Sequence, residues 1–310
     1  MIELMVSIAL GLLVSMAATA LLLSSKASYI AQDEGVRLQE TGRYAIEAVT
    51  RAVRQAAYEN WDREAVALVN SSTMTASIAG LDASSLKETE AGIDAPLAKS
   101  INGSDVLAVR FVGAGSGANC DETMLNCAGF GVSEPVSMEA DRGWSIFYVA
   151  ADKTGEPELR CKYYGKTSWN TEAIARGIES FQVLYGVDTD ADGAPDRFLS
   201  AAKIDEMDQT LILDGPNAAA RAIDKIRKTY WKKVVVVKVA LLVRSAESVR
   251  TGAPPNQHDL FGKEYADTYA AVDIGTRINE ENLPAATRNR LRKMFSTTIQ
   301  LRNQATGSGA

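Results

Sequence analysis

The chain has 310 residues, 46% of them hydrophobic and 23% charged, enough apolar material for one large or two modest domains. A net charge of −6 and a pI near 5.1 argue against a general nucleic-acid-binding role, since such proteins are usually basic. The three cysteines fall between positions 120 and 161, so at least one thiol stays unpaired within the monomer.

The N-terminal stretch is the most apolar part of the chain. No charged side chain occurs between Glu3 and Lys26, so 4–25 is an uncharged run of roughly the 20 residues that a helix needs to cross a bilayer. It lacks a positive flank and exceeds a signal-peptide core, so a span is expected here rather than a cleaved signal, despite the small residues at 17–20. Glu3 is a carboxylate at the mouth of that span, where charge is costly and marks function. Helical character continues beyond it: Ile46, Val49, Val53 and Ala57 form an apolar stripe, with Arg43, Glu47, Arg51 and Arg54 mostly opposite. One helix is predicted from about residue 2 to about residue 58, on the order of 80 Å long. This divides the chain into a helical segment 1–58 and a head 59–310.

The remaining elements follow in chain order. Residues 60–104 read as loops with short elements. Strands are predicted at 104–112, 144–150, 158–164 and 178–187, with a Gly-rich loop at 113–131 that carries Cys120 and Cys127. A short helix is expected at 217–229. The β-branched run within 231–245 fits a central strand covered on both faces, and Lys238 excludes it as a second span. Residues 251–285 read as polar loop, 295–302 as a terminal strand and 305–310 as a disordered tail. Helix first and strands afterwards predict an α+β fold, with a mainly antiparallel sheet packed on the half-exposed second part of the helix.

The N-terminal residues Ile2-Glu3-Leu4-Met5-Val6, followed by Ser-Ile-Ala-Leu-Gly, resemble the class III signal of type IV pilins and pseudopilins. Members of that superfamily carry a short basic leader ending in Gly, and then Phe-Thr-Leu-Ile-Glu. Here Met1 stands where the family has Leu, and the leader, Phe and Thr are missing, so the expected precursor starts upstream of Met1. Four further stretches resemble PilW-type minor pilins: 126–129 with 147–149 and 159–161, 183–193, 236–245, and 290–303. The resemblance implies a non-enzymatic subunit of a Gram-negative type IV pilus, held in the inner membrane with its head in the periplasm and later carried in the pilus. It implies a prepilin peptidase acting on the precursor, and other minor pilins and the major pilin as partners. It also implies that Glu3 pairs with the N-terminal amine of a neighbouring subunit, where an opposite charge offsets desolvation. The plain alternative for Glu3 is a first-turn acid favoured by the helix dipole, worth about 0.3–1 kcal/mol.

Cysteine pairing has two candidates. Cys120–Cys127 would close a small loop, whereas Cys127–Cys161 matches the family's paired positions better and would stabilise by about a few kcal/mol in the chain-entropy model. The acidic loop offers a cation site. Asp188, Asp190, Asp192 and Asp196, with Gly193 at the sixth position, match the first part of a calcium loop, although Leu199 replaces its closing Glu. The competing reading is a solvated hairpin turn. No cofactor is required. His258, the single histidine, reads as a surface side chain in a polar loop, and Arg288, Arg290, Arg292 and Lys293 as a solvated face. No phosphate-binding loop, zinc pattern or nucleophile motif accompanies them. The rival functions are a type II secretion pseudopilin and a membrane-anchored periplasmic metal-dependent enzyme or binding protein.

Overall fold

The computed structural model describes residues 2–57, 74–113, 124–132, 142–250 and 254–303. Cys120, the predicted loop residues 60–73 and the tail 305–310 lie outside them. The elements are α1 (Ile2–Gln55), β1 (Ile78–Leu81), β2 (Ser85–Leu86), β3 (Pro96–Leu97), β4 (Val106–Phe111), β5 (Gly143–Ala151), β6 (Pro157–Tyr164), β7 (Trp169–Arg176), β8 (Ile178–Val187) and β9 (Arg197–Leu199). Then come α2 (Ala201–Gln209), α3 (Ala218–Lys228), β10 (Val234–Ser248), β11 (Gln257–Asp259), α4 (Lys263–Tyr269), β12 (Arg277–Asn279) and β13 (Arg290–Gln300).

The sheet expected from sequence is divided in two, and the paired strands are antiparallel throughout. One sheet has the order β1-β4-β5-β6-β7 and the other β13-β10-β8-β9. The chain passes from the first to the second through one residue, Gly177, between β7 and β8. Its φ of +77° is a conformation that favours glycine, and a Cβ there would lie 2.7 Å from the Arg244 carbonyl oxygen. The Gly177 amide donates to Pro157 O in one sheet, and its carbonyl accepts from Arg244 N in the other, at 2.7 and 2.8 Å.

Both sheets turn an apolar face into one shared core. Leu107, Val109, Phe147, Val149 and Leu159 come from the first sheet, and Phe181, Val183, Val237, Val239 and Leu241 from the second. The C-terminal half of α1 closes this core with Ala45, Val49, Ala52 and Val53, while Arg43, Glu47, Arg51 and Arg54 stay exposed, as the stripe predicts. Gly42 permits close approach: a Cβ there would fall 2.2 Å from the Phe295 ring of β13. Glu34, one turn above Leu38, is buried, and its Oε2 accepts from Ala246 N at 2.9 Å and Glu247 N at 3.3 Å, tying the helix to the end of β10.

β10 is covered on both faces. Ala240 and Leu242, on the side away from α1, pack with Leu260, Ile278 and Leu283. Those three residues belong to the segment expected to be polar loop, which instead contains β11, α4 and β12 and folds back over the sheet. Its sparse apolar residues hid a structured layer. The terminal strand begins at Arg290 rather than at 295, because its first residues alternate charge with partly buried positions.

Replacing Gly177 by Ala is expected to destabilise the head by about 2 kcal/mol or more, from left-handed strain plus the clash with Arg244 O. A lowered melting midpoint of the full chain in detergent, measured against wild type, checks this; an unchanged midpoint contradicts it.

Candidate assembly helix and acidic sites

Residues 2–29 of α1 are exposed throughout, in contrast to the buried stripe that follows. Ile2, Leu4, Met5, Leu13, Leu21 and Leu22 are each about two-thirds or more exposed, so this half presents an apolar surface on every side. By length and composition α1 is long enough to cross a membrane. Three of its hydroxyls are satisfied within the helix. Ser7 Oγ donates to Glu3 O at 2.7 Å, Ser15 Oγ to Gly11 O at 2.8 Å and Thr19 Oγ1 to Ser15 O at 2.8 Å. Each hydroxyl thus uses a carbonyl one turn back, which suits surroundings without water. Glu3 lies in the first turn, exposed, where it meets the positive end of the helix dipole.

The cysteine alternatives resolve to one bond: Cys127 is joined to Cys161 of β6, with Cα atoms 5.8 Å apart. The segment around Cys127 is shaped by Asn126, whose Oδ1 accepts from Ala128 N and Phe130 N, and by Cys127 N donating to the buried Ser145 Oγ at 2.9 Å. Phe130 stacks on Tyr163 with ring centroids 5.3 Å apart. The bond spans 34 positions, which corresponds to about 3–4 kcal/mol in the chain-entropy model.

Residues 188–196 form the loop of the β8–β9 hairpin, closed by Asp196 N donating to Val187 O at 2.9 Å. Carboxylate oxygens of Asp188, Asp190 and Asp196 lie within 4.8 Å of one another. Asp192 stands outside that group, with its Oδ1 accepting from Ala194 N at 2.7 Å. Asp188 is buried and accepts from Ala191 N and Gly193 N at 2.7 and 2.8 Å. The Thr189 side chain and amide hold the Asp196 carboxyl below its usual range. For Asp190 the Asp192 amide pulls the pKa down, but desolvation and the charges of Asp192 and Asp196 outweigh it and raise it. The loop therefore gathers acid, with Arg197 beside Asp196 as a neighbouring cation, and all-oxygen donors of this kind suit a hard ion such as calcium.

The basic cluster is only in part the solvated face expected from sequence: Arg288 and Lys293 are exposed, but Arg290 and Arg292 turn inward. Arg292 is fully buried, with Nε 2.6 Å from Glu179 Oε2, and Arg244 reaches Glu179 at 2.8 Å and Glu156 at 2.6 Å. Arg290 meets Glu156 at 3.0 Å, and Arg250 meets Glu280 at 2.8 Å. Backbone register explains the grouping. Arg244 of β10 lies opposite Arg292 of β13, so two guanidiniums share the sheet face that Glu179 of β8 joins. Lys293, one residue on, points to the other face and contacts Gln39 of α1. His258 is likewise not a surface side chain. It is largely buried in β11, with Nε2 3.0 Å from Glu280 Oε1. Residues 156, 179, 244, 250, 280 and 292 are far apart in sequence, and no spacing rule could have joined them.

Burial raises the Glu280 carboxyl, but donation from Asn256 N, His258 and Arg250 outweighs it, so its pKa lies below the ordinary value. Glu156 behaves the same way, with Arg244 and Arg290 outweighing burial. A depressed folded pKa contributes stability that is present above the unfolded value and lost as pH falls through the folded one. Glu280→Gln should thus melt well below wild type near about pH 7, with the gap closing towards about pH 3. Thermal melts across that range test this, and a pH-independent gap would contradict it.

No curated protein matches the sequence. A type IV-like pilin from Thermus thermophilus is similar in structure, at 13% identity and a TM-score of 0.39, over 87% of this chain and 99% of that one. The family model described as Type IV Pilus-assembly protein W matches residues 146–303, from β5 through the end of β13 and thus over just more than half the chain. The chain belongs to the PilW family of type IV pilus-assembly proteins.

Proposed function

We propose that this protein is a minor pilin, held by α1 in the inner membrane of a Gram-negative bacterium with its head in the periplasm. There it joins other minor pilins in a complex that primes the pilus, and it is carried into the fibre next to the major pilin. Its work in this reading is assembly rather than catalysis, and a prepilin peptidase acts on its precursor. The observation that carries the reading is the division of one continuous helix, apolar and uncovered over residues 2–29 and locked into the head beyond Glu34. The uncovered half has the length for a bilayer and an all-round apolar surface for neighbouring helices in a filament. Family membership implies association with pilus components. The disulfide fits a head folded in an oxidising compartment.

In this reading Glu3 pairs with the N-terminal amine of the adjacent subunit once water is excluded. Glu3→Ala should leave the head folded, with a native disulfide and an unchanged melting midpoint, while lowering the mutant's share in sheared pili severalfold. Immunoblotting of the sheared fraction against whole cells measures this. Incorporation equal to wild type, with normal piliation, would overturn the assignment. Loss of type II secretion instead of pili in a deletion strain would favour a pseudopilin.

The acidic hairpin loop is proposed as a calcium site, supported by the three convergent carboxylates of Asp188, Asp190 and Asp196. Asp190→Asn with Asp196→Asn should abolish the calcium-dependent heat attributable to this loop. An identical calorimetric titration for wild type and this double variant would remove the loop as a site.

A further inference from the structure

A second group of carboxylates lies in the interior of the head, away from the acidic hairpin. Asp82 follows β1 and Asp105 precedes β4. Since Leu81 pairs with Val106, the register carries these two acids to the same end of the strand pair. Asp273 arrives from the layer that folds over the other sheet, between α4 and β12. Oxygens of all three carboxylates lie within 4.8 Å of one another, a separation compatible with ligands around one ion at 2.3–2.6 Å. Asp105 and Asp273 are only 2% and 4% exposed. Among the described residues, no Lys, Arg or His forms an ion pair with any of the three.

The protein partners of these acids are well defined. Asp105 accepts from Ala83 N at 3.0 Å and Val183 N at 2.9 Å. Asp82 accepts from Ala201 N and Ala202 N, both at 2.9 Å, at the N-terminus of α2. Asp273 Oδ2 accepts from the Tyr265 hydroxyl at 2.7 Å. Its other oxygen, Oδ1, is buried and has no hydrogen-bond partner among the described residues. The Tyr185 hydroxyl, buried against Gly80 of β1, is also without one. A buried carboxylate oxygen left bare beside two further carboxylates calls for a positive charge or a proton. Burial raises Asp105 well above the usual carboxylate range, helped by Asp82, and raises Asp273 to about 6.

We infer that Asp82, Asp105 and Asp273 form a buried structural site for a hard divalent cation, calcium by preference, with Oδ1 of Asp273 as a ligand. All-oxygen donors with no nitrogen or sulfur select such an ion, and the coordination left open falls to water or carbonyl oxygens. The ion would join three parts: the β1–β4 end, the start of α2, which Asp82 already holds, and the outer layer carrying α4. Each carboxylate already orients itself through backbone or tyrosine donors, so the ligands are set before the metal arrives.

The test uses the full chain in detergent, stripped with a chelator and titrated with calcium chloride alone. The background is Asp190→Asn with Asp196→Asn, whose exposed side chains can be changed without disturbing the core and whose loss silences the hairpin loop. This folded background should bind one calcium per chain by equilibrium dialysis, and its melting midpoint should rise with added calcium. Adding Asp273→Asn should weaken binding by about tenfold or more, through loss of one charged ligand. Should that variant fail to fold, Asp82→Asn, at the half-buried edge, is expected to weaken binding similarly. A folded background that binds no calcium overturns the site, as do cluster variants that bind as tightly as their background. A midpoint raised by acidification but not by calcium also overturns it, because the three acids would then share protons instead of a metal.

Discussion

The structure depends on one helix being soluble in two different surroundings. Beyond Glu34, α1 supplies Ala45, Val49, Ala52 and Val53 to a core that neither sheet closes alone. Before residue 30 the same helix is exposed along its whole length. Small residues in the packed half let the backbone approach the strands, and Gly42 carries this furthest by admitting the Phe295 ring. The helix is therefore a wall of the head and a projecting stalk at once. Because the hydrogen-bond ladder is continuous, the orientation of the stalk is fixed by packing that occurs far from it.

Two sheets sharing a core need a rigid connection, and Gly177 makes it with one residue. The amide of that residue is bonded into one sheet and its carbonyl into the other, so the angle between sheets is set by backbone geometry. β10 then bears the strain of being central: its inner face meets the shared core and its outer face meets Leu260, Ile278 and Leu283. On that outer face the arginines of β10 and β13 are directly opposite, an arrangement that is repulsive by itself. Glu179 and Glu156 make it tenable, and Glu280 brings in the outer layer through Arg250 and His258. A buried network of this kind is weak evidence of net stabilisation, since desolvation offsets much of the Coulomb gain. Its clearer effect is on register, because a one-residue slip of β10 or β13 would turn Arg244 or Arg292 towards the apolar core.

The parts legible in the sequence were those that depend on local periodicity. The uncharged run, the stripe through Ile46, Val49, Val53 and Ala57 and the β-branched core of β10 each show their surroundings in spacing alone. The acidic hairpin was legible because its carboxylates lie close together in sequence, and the Cys127–Cys161 pair because family resemblance pointed to it. What stayed hidden depends on residues brought together only by topology. Arg292 looks like a surface cation until Glu179, more than a hundred positions away, is placed against it. By sequence Asp82 and Asp273 are ordinary acids in loop segments and Asp105 stands at the start of a predicted strand, with nothing to join them. The layer at 254–289 reads as polar because it buries few apolar residues, each separated by several polar ones.

The placement of the long-range ties has a consequence for assembly. The disulfide, the Glu34 contact with β10, the arginine–glutamate network and the interior carboxylates all lie at or beyond residue 34. The hydrogen bonds described before residue 30 run between residues of the same helix, four positions apart. If the first half of α1 leaves a bilayer for the interior of a filament, it exchanges lipid for the apolar faces of other helices, and nothing in the head must break or form. The free energy of such a transfer is then decided by the surface of residues 2–25 and by the one charge it carries, at Glu3. An acid at that position is tolerable at the edge of a membrane and costly inside a fibre without a counter-charge. On the proposed pairing with a neighbour's N-terminal amine, Glu3 would turn correct axial placement into the favourable state, while an apolar residue there would accept many placements equally.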